Sequence, residues 1–351
     1  MEDQDPEKRQ RRVRYKGTHP KAFKEKYKEL DPELYADDIA KVMEQGRTPA
    51  GMHRSICVNE IMDFLQIAPG QRGLDATLGY GGHSAEMLKQ LVPGGHLTAL
   101  DVDPIELPKT KERLAAMGFG EDLLTVKELN FSKIDTLCDD EALFHFVLAD
   151  LGVSSMQIDN PERGFSFKVE GPLDLRLNPT IGKSAAEFLK IISKLQLEEL
   201  LIENSDEPHA SAISQTIAFH LSKGKKIRTT TDLQEIIKEA LIYLPEVQRK
   251  EEIKKSSQRC FQALRIAVND EFGVLDNFLE KLPYVLAPGG RVAILSFHSG
   301  EDRRVKKSFQ NLFRGGIYQE ISSDVIRPSL QEINSNPRAK SAKLRWAVRG
   351  S

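Results

Sequence analysis

Between Gly73 and Asp150, four short apolar runs alternate with helical periods, and after Asp150 the alternation stops. Residues 73–76, 96–102, 123–129 and 144–150 read as strands, and residues 84–91 and 106–117 as helices. Near-continuously apolar strands need cover on both faces, which intervening helices supply, so the pattern constrains this part of the chain to a parallel, doubly wound α/β sheet. The fourth run, Phe-His-Phe-Val-Leu-Ala, closes on Asp150 and opens into a stretch rich in Gly, Ser, Asn and Pro. That composition is turn chemistry rather than helix. A carboxylate at the end of a buried parallel strand, followed by a long irregular loop, is where open α/β sheets bind ligands.

The rest of the chain sorts around this sheet. Residues 1–47 form a charged extension, and residues 56–65 a helix with one apolar face. Residues 48–160 and 284–351 make a discontinuous sheet-bearing domain. Residues 161–283 form an inserted loop and helical body expected to hold substrate. The insert has helical period over 184–201, 210–221, 231–243 and 258–282, with Thr230, Thr231 and Asp232 suited to an N-cap. Pro288, Gly289 and Gly290 turn into a further strand at 291–297, and candidate strands at 318–326 and 343–348 complete the sheet.

Charge narrows the partners. The net charge is only −2, yet residues 8–28 carry ten Lys or Arg and a single acid, Glu25. A second basic cluster, Arg338, Lys340, Lys343, Arg345 and Arg349, closes the chain. Basic segments on a near-neutral protein suit a polyanion, or are simply solvated tails. The three cysteines, Cys57, Cys138 and Cys260, have no ligand spacing and read as free thiols of a reducing compartment, with no metal site. The chain starts without an apolar leader and has no membrane-length apolar run, so a cytoplasmic protein is expected.

The first strand runs into Asp75-Ala76-Thr77-Leu78-Gly79-Tyr80-Gly81-Gly82-His83-Ser84. Glycines between strand and helix let the backbone approach a ligand closely. Asp101 closes the second strand, 19 residues after Gly82, where an acid meets ribose hydroxyls in nucleotide-binding domains. Asp103 is a second acid there, ranked lower because Pro104 follows and it suits a helix cap. No Gly-Lys-Ser/Thr follows the turn, which argues against a nucleoside-triphosphate cradle. The Gly order departs from the dinucleotide fingerprint, and Asp75 sits awkwardly beside a pyrophosphate, although a nicotinamide dinucleotide stays a rival. A cofactor carrying an ammonium and a sulfonium suits that acid better. Phe131, ending the third strand, is placed either under an adenine or in the core.

Several long segments then carry a resemblance: DATLGYGGHS at 75–84, ALDVDP at 99–104, DLGVSSMQID at 150–159, ERGFSFKVEGPLDLRLNPTIGKSAAEFL at 162–189, RCFQALRIAVNDE at 259–271, LAPGGRVAILSFHSGEDRRVK at 286–306 and NPRAKSAKLR at 336–345. Together they resemble the bacterial small-subunit rRNA cytosine-N4 methyltransferases of the MraW type, from about Met52 to Arg349. The resemblance implies an α/β, Rossmann-like, S-adenosylmethionine-dependent methyltransferase fold with an inserted all-α substrate domain. It implies a cytidine of 16S rRNA, at the decoding centre of the small ribosomal subunit, as substrate. It places cofactor contacts on Gly81, Gly82, His83, Asp101, Phe131, Asp150 and Gln157. Monomer and homodimer both stay open, and no membrane is implied.

The chain departs from the family in places. The segment from His53 to Glu60 keeps the family's His and Glu but not its Pro, Gly300 stands where Leu is usual, and 203–217 lacks a common basic pattern. A different rRNA nucleotide as target therefore stays an alternative, as does an assembly factor that binds rRNA without turnover. For the chemistry, cytosine N4 is a poor nucleophile that must be held in line with the sulfonium and relieved of a proton. Asp150 is the candidate catalytic group, with a purely cofactor-positioning role as the competing reading. Arg163, Phe165, Arg176, Arg259, Arg265 and Lys306 are expected to supply charge and stacking to a splayed base, with Arg303 and Arg304 near phosphate. His298 is expected to orient substrate.

Overall fold

The computed structural model describes residues 55–138 and 143–351. These fall in one of the chain's two compact units, Arg54–Ser351. The expectations for the basic extension, and for the family-like His53, lie outside the described residues.

In chain order the first half reads α1 (Val58–Leu65), β1 (Arg72–Asp75), α2 (Gly82–Leu91), β2 (His96–Asp101), α3 (Glu106–Ala116), β3 (Leu124–Glu128) and β4 (Phe144–Asp150). A 3-10 turn, Phe131–Leu137, lies between β3 and β4. Then come α4 (Ser155–Asp159), α5 (Ala185–Leu189), α6 (Lys194–Ser205), α7 (Ala210–Ser222), α8 (Thr230–Ala240), α9 (Glu246–Asn269) and α10 (Glu271–Val285). The chain ends with β5 (Leu286–Ser296), α11 (Ser299–Arg314), β6 (Tyr318–Ile321), α12 (Leu330–Ser335) and β7 (Lys343–Arg349).

The strands form one sheet in the order β3-β2-β1-β4-β5-β7-β6. β1 to β5 pair in parallel, and β7 runs antiparallel to both β5 and β6. The chain winds outward from β1 through β2 to β3, then returns to lay β4 on the other side of β1. The strand order therefore reverses between β1 and β4, and a crevice opens there above their carboxyl ends.

Both faces of the sheet are covered. Phe146 and Leu148 of β4 pack with Met87, Leu88 and Leu91 of α2, while Val147 and Ala149 point the other way to Phe278 and Leu282 of α10. Phe144 joins the second group although it shares parity with Phe146. The β4–β5 register shifts between Phe144 and Phe146, which turns Phe144 to the opposite face. A Cβ at Gly73 would overlap the Phe146 ring, so β1 needs glycine there to lie flat against β4. The helical segment has its own core, with Leu189, Leu201, Ile213, Ile236, Phe261 and Leu264 among its buried side chains.

Several helix boundaries differ from the periodicity. The expected helix over 184–201 is two, because Ser193 caps α6 in a reciprocal box with Gln196 and so restarts the helix. The helix expected over 258–282 starts earlier, at Glu246, and breaks at Asp270, which adopts a left-handed conformation (φ 49°, ψ 41°). Thr229, not Thr230, is the cap of α8, boxed with Asp232. The loop after Asp150 contains a short helix, α4, because Ser154 and Gln157 form a capping box. α11 is a helix the periodic reading did not place, capped by His298. No helix among the described residues is long and apolar enough to cross a membrane.

Candidate active site

The carboxyl ends of β1, β2 and β4 each deliver an aspartate to the crevice at the strand reversal. Asp75 ends β1, is 1% exposed, and accepts from the Ser84 hydroxyl (2.6 Å) and the Thr77 amide (3.1 Å). It fixes the turn to the start of α2. Asp101 ends β2; one oxygen accepts from the Gly79 amide (2.8 Å) and the other from the Asp103 amide (2.9 Å). Asp150 ends β4, its side chain 29% exposed, and its backbone N–H donates to the Thr77 hydroxyl (2.6 Å). Gly79 and Gly81 of the intervening turn have positive φ, and a Cβ at Gly81 would lie 2.9 Å from Thr110 and 3.2 Å from Leu114. The turn is thus pressed onto α3 and shaped by its glycines.

Electrostatics distinguish this crevice from a phosphate cradle. Burial pushes the carboxyls of Asp75 and Asp101 upward. Asp150 is pushed up to about 7, first by burial and then by the charge of Glu301. Carboxyls pushed toward the neutral form by burial gain from a cationic ligand and gain nothing from a dianion. The acids at the ends of the strands therefore suit a ligand with an ammonium and a sulfonium better than a pyrophosphate.

His83 lies behind this crevice, 6% exposed. Burial lowers its pKa, so the ring is neutral. Its Nε2 lies 3.0 Å from the Ile56 carbonyl and carries the proton, which leaves the Nδ1 lone pair 3.5 Å from an Asp150 oxygen. His83 faces Asp150 from α2, and Glu301 approaches from α11. Glu301 is 3% exposed, accepts from the Phe297 amide (2.9 Å) and lies 3.2 Å from His298 Nε2. Burial alone would raise its carboxyl, but the His298 bond and the charges of His298 and Arg265 hold it below the usual carboxylate range.

Gln157 and Arg163 come to the site indirectly. Both donate to one oxygen of Asp103, each at 2.7 Å. Asp103 is fully buried and also caps α3 through the Ile105 and Glu106 amides. The acid ranked second in the sequence is therefore the clamp that binds the loop after β4 to the end of β2. Gln157 completes the α4 cap with its other end, accepting from the Ser154 amide (2.8 Å). Phe131 lies at the end of β3, half-buried, edge-on to Phe278 with ring centroids 5.1 Å apart.

Most of the residues assigned to substrate are engaged inside the protein. Arg163 is 5% exposed, ion-paired with Asp103 and bonded to the carbonyls of Arg176 and Leu177. Arg176 grips both oxygens of Asp174, and Arg265 those of Glu271. Arg259 faces the buried Glu207 carboxylate at 3.7 Å, and Phe165 lies in the helical core. Arg304 bonds Asp276 and stacks on Phe272. His298 caps α11. Arg303 and Lys306 are exposed. Four of the five basic C-terminal residues are similarly engaged, Lys340 being exposed: Arg338 holds Asp159, Arg345 and Lys343 hold Asp302, and Arg349 bonds the Leu286 carbonyl. Asp174 and Glu271 lie close in the chain to Arg176 and Arg265, but the partners of Arg163, Arg259, Arg338 and Arg345 come from distant segments that spacing does not show.

Among the described residues, two sets of side chains bring possible metal donors within 4.8 Å of one another: Cys57, Glu60 and Glu332, and Glu271, His298 and Glu301. In the first, burial and then the charges of Glu332, Glu60 and Asp150 push the Cys57 thiol up to about 12, so it is protonated. In the second, the Arg265 guanidinium already holds Glu271.

The model of the MraW methylase family matches residues 50–349. The chain is 67% identical over 347 residues to ribosomal RNA small subunit methyltransferase H 2 of Alkaliphilus metalliredigens, covering 99% of each chain. It is 64% identical over 348 residues to ribosomal RNA small subunit methyltransferase H 1 of Lachnoclostridium phytofermentans, covering 99% of this chain and 95% of the relative. Similarity extends to the Crocosphaera subtropica ribosomal RNA small subunit methyltransferase H, 40% identical over 301 residues, covering 86% of this chain and 90% of that one.

Proposed function

The chain belongs to the MraW methylase family, and on that premise we propose that it transfers a methyl group from S-adenosylmethionine to N4 of a cytidine in small-subunit rRNA, at the decoding centre. The observation that carries this reading is the Asp150 carboxylate, at the strand reversal, part-exposed and with its pKa near 7. When bound, S-adenosylmethionine supplies an electrophilic methyl on a sulfonium. Gly81 and Gly82 would line its backbone cradle, Asp101 would take the ribose hydroxyls, Phe131 would border the adenine, and His83 and Gln157 would hold the floor. A pyrophosphate-bearing nicotinamide cofactor is disfavoured by the same three carboxylates.

Asp150 has the chemistry to accept a hydrogen bond from the exocyclic amine, hold it in line, and take its proton as positive charge develops. The neutral His83 behind it leaves that carboxylate without a fixed counter-ion. Residues 48–160 and 284–351 form the methyl-transferring domain, and 161–283 the body that receives RNA. Arg163, Phe165, Arg176, Arg259 and Arg265 shape that body from within, His298 caps α11 in the methyl-transferring domain, and Arg303 is available to phosphate. The working compartment is the cytoplasm.

The test is methyl transfer from labelled S-adenosylmethionine to small subunits from cells lacking this enzyme, followed by mass-spectrometric mapping. The expected product is one N4-methylcytidine in small-subunit rRNA. Label on another nucleotide would move the target, and label on no RNA would end the reading.

A further inference from the structure

The arginines that sequence spacing pointed to are mostly internal, so open positive charge for RNA must lie elsewhere. The α7–α8 turn carries Lys223, Lys225, Lys226 and Arg228 within six residues, all exposed. Lys168, on the loop after β4, is exposed beside it. None of these five is in an ion pair among the described residues, unlike the arginines above. Phe219, at the end of α7, is 54% exposed, with the Lys223 ammonium 5.8 Å from its ring centroid. Two acids lie nearby and are partly occupied: Asp232 accepts from the Arg228 and Thr229 amides, and Glu170 from the Thr231 hydroxyl.

This patch is tied to the active-site loop. The Thr230 amide donates to the Gly171 carbonyl, the Gly171 amide donates to the Thr230 hydroxyl, and the Leu173 amide donates to the Arg228 carbonyl (2.8 Å). The Thr230 hydroxyl donates to the Val169 carbonyl, next to Lys168 (3.0 Å). The same loop packs back on itself, Pro172 against Gly164, so that a Cβ at Gly164 would overlap the Pro172 carbonyl. Arg163, the neighbour of Gly164, is anchored on Asp103, whose amide donates to Asp101. A short hydrogen-bonded path therefore connects the basic turn to the end of β2.

We infer that Lys168, Phe219, Lys223, Lys225, Lys226 and Arg228 form a docking surface for single-stranded rRNA, which brings the target cytidine to Asp150. The inference rests on the proposed rRNA methylation and names its binding surface. Unpaired lysines neutralise phosphates without first breaking an internal pair, and an exposed aromatic gives a base a stacking face. The combination favours RNA over an anionic membrane, which offers no bases to stack.

The experiment compares the full-length protein with the triple variant Lys225→Ala/Lys226→Ala/Arg228→Ala, and separately with Phe219→Ser. Binding to protein-free small-subunit rRNA is measured across a potassium chloride series, with S-adenosylhomocysteine affinity as a control for folding. The triple variant should bind RNA at least about tenfold more weakly at moderate salt. Its log–log salt slope should be shallower by about two, at about 0.7 per lost single-strand phosphate contact. Phe219→Ser should weaken binding with no change in slope. S-adenosylhomocysteine affinity should be unchanged in both. An unaltered slope and affinity in the triple variant, while the parent binds and methylates RNA, would overturn the docking surface alone. If the triple variant loses S-adenosylhomocysteine binding, Lys168→Ala and Phe219→Ser decide, and normal RNA binding by both overturns it. Loss of binding to phosphatidylglycerol vesicles with RNA binding intact would assign the patch to membranes. A parent that methylates no rRNA would instead end the functional reading.

Discussion

Asp150 keeps its proton up to about pH 7 because its part-exposed carboxyl is largely desolvated and faces the Glu301 charge, with neutral His83 and buried Asp75 completing its surroundings. Two consequences have opposite signs. An acceptor carboxylate must be ionised, so turnover should fall about tenfold per pH unit below 7 and level off above it. Stability runs the other way. The folded pKa lies above the unfolded value of 3.8, so the folded state binds the extra proton between them. Stability from this group therefore falls as pH rises from about 4 to 7, then stays low. Asp150→Asn should lose at least about a hundredfold in kcat, abolish the pH step, and melt higher than the parent at pH 8. Near-normal kcat with normal cofactor affinity would leave Asp150 only a positioning role. Its place was legible in the sequence, since an apolar run ending in Asp needs no tertiary information. Its ionisation was not, because Glu301 lies 151 residues away in the chain.

At the scale of elements, the loop from β4 to the helical body is held by buried ionic groups rather than by its own propensities. Asp103 receives Arg163 and Gln157 at once, and Asn269 accepts from the Leu177 amide while donating to the Leu175 carbonyl. Arg163→Ala would leave the Asp103 carboxylate buried without its cation, a change that costs about 3–5 kcal/mol. Urea unfolding should show that loss, with the salt slope of RNA binding unchanged. A variant of parental stability with a shallower slope would return Arg163 to the RNA-facing role expected from the sequence. Spacing alone could not separate these outcomes, since an Arg in a loop reads the same whether it faces solvent or a carboxylate from β2. The split helices have a similar cause. Ser193 and Asp270 break continuous periods through local capping and a left-handed residue, while the apolar spacing continues across both breaks.

For the whole molecule, the proposed cofactor crevice and substrate body should respond to ligands as one folded unit. S-adenosylhomocysteine at a hundred times its Kd should stabilise the fold by about 2.7 kcal/mol. A chain of this size should then melt about 3 °C higher. NAD should produce no shift, because three burial-raised carboxylates line the crevice. An equal shift with NAD would return the dinucleotide reading. The sequence by itself determined the parallel sheet and the acids at the strand ends, because hydrophobic period and glycine-rich turns are properties of short windows; the strand order and its reversal came from the fold. Only the tertiary structure decided which charges remain open to a polyanion. Charge availability depends on partners brought together from across the chain: Asp103 onto Arg163, Glu207 onto Arg259, Asp302 onto Arg345, and no ion pair among the described residues onto the basic turn at 223–228.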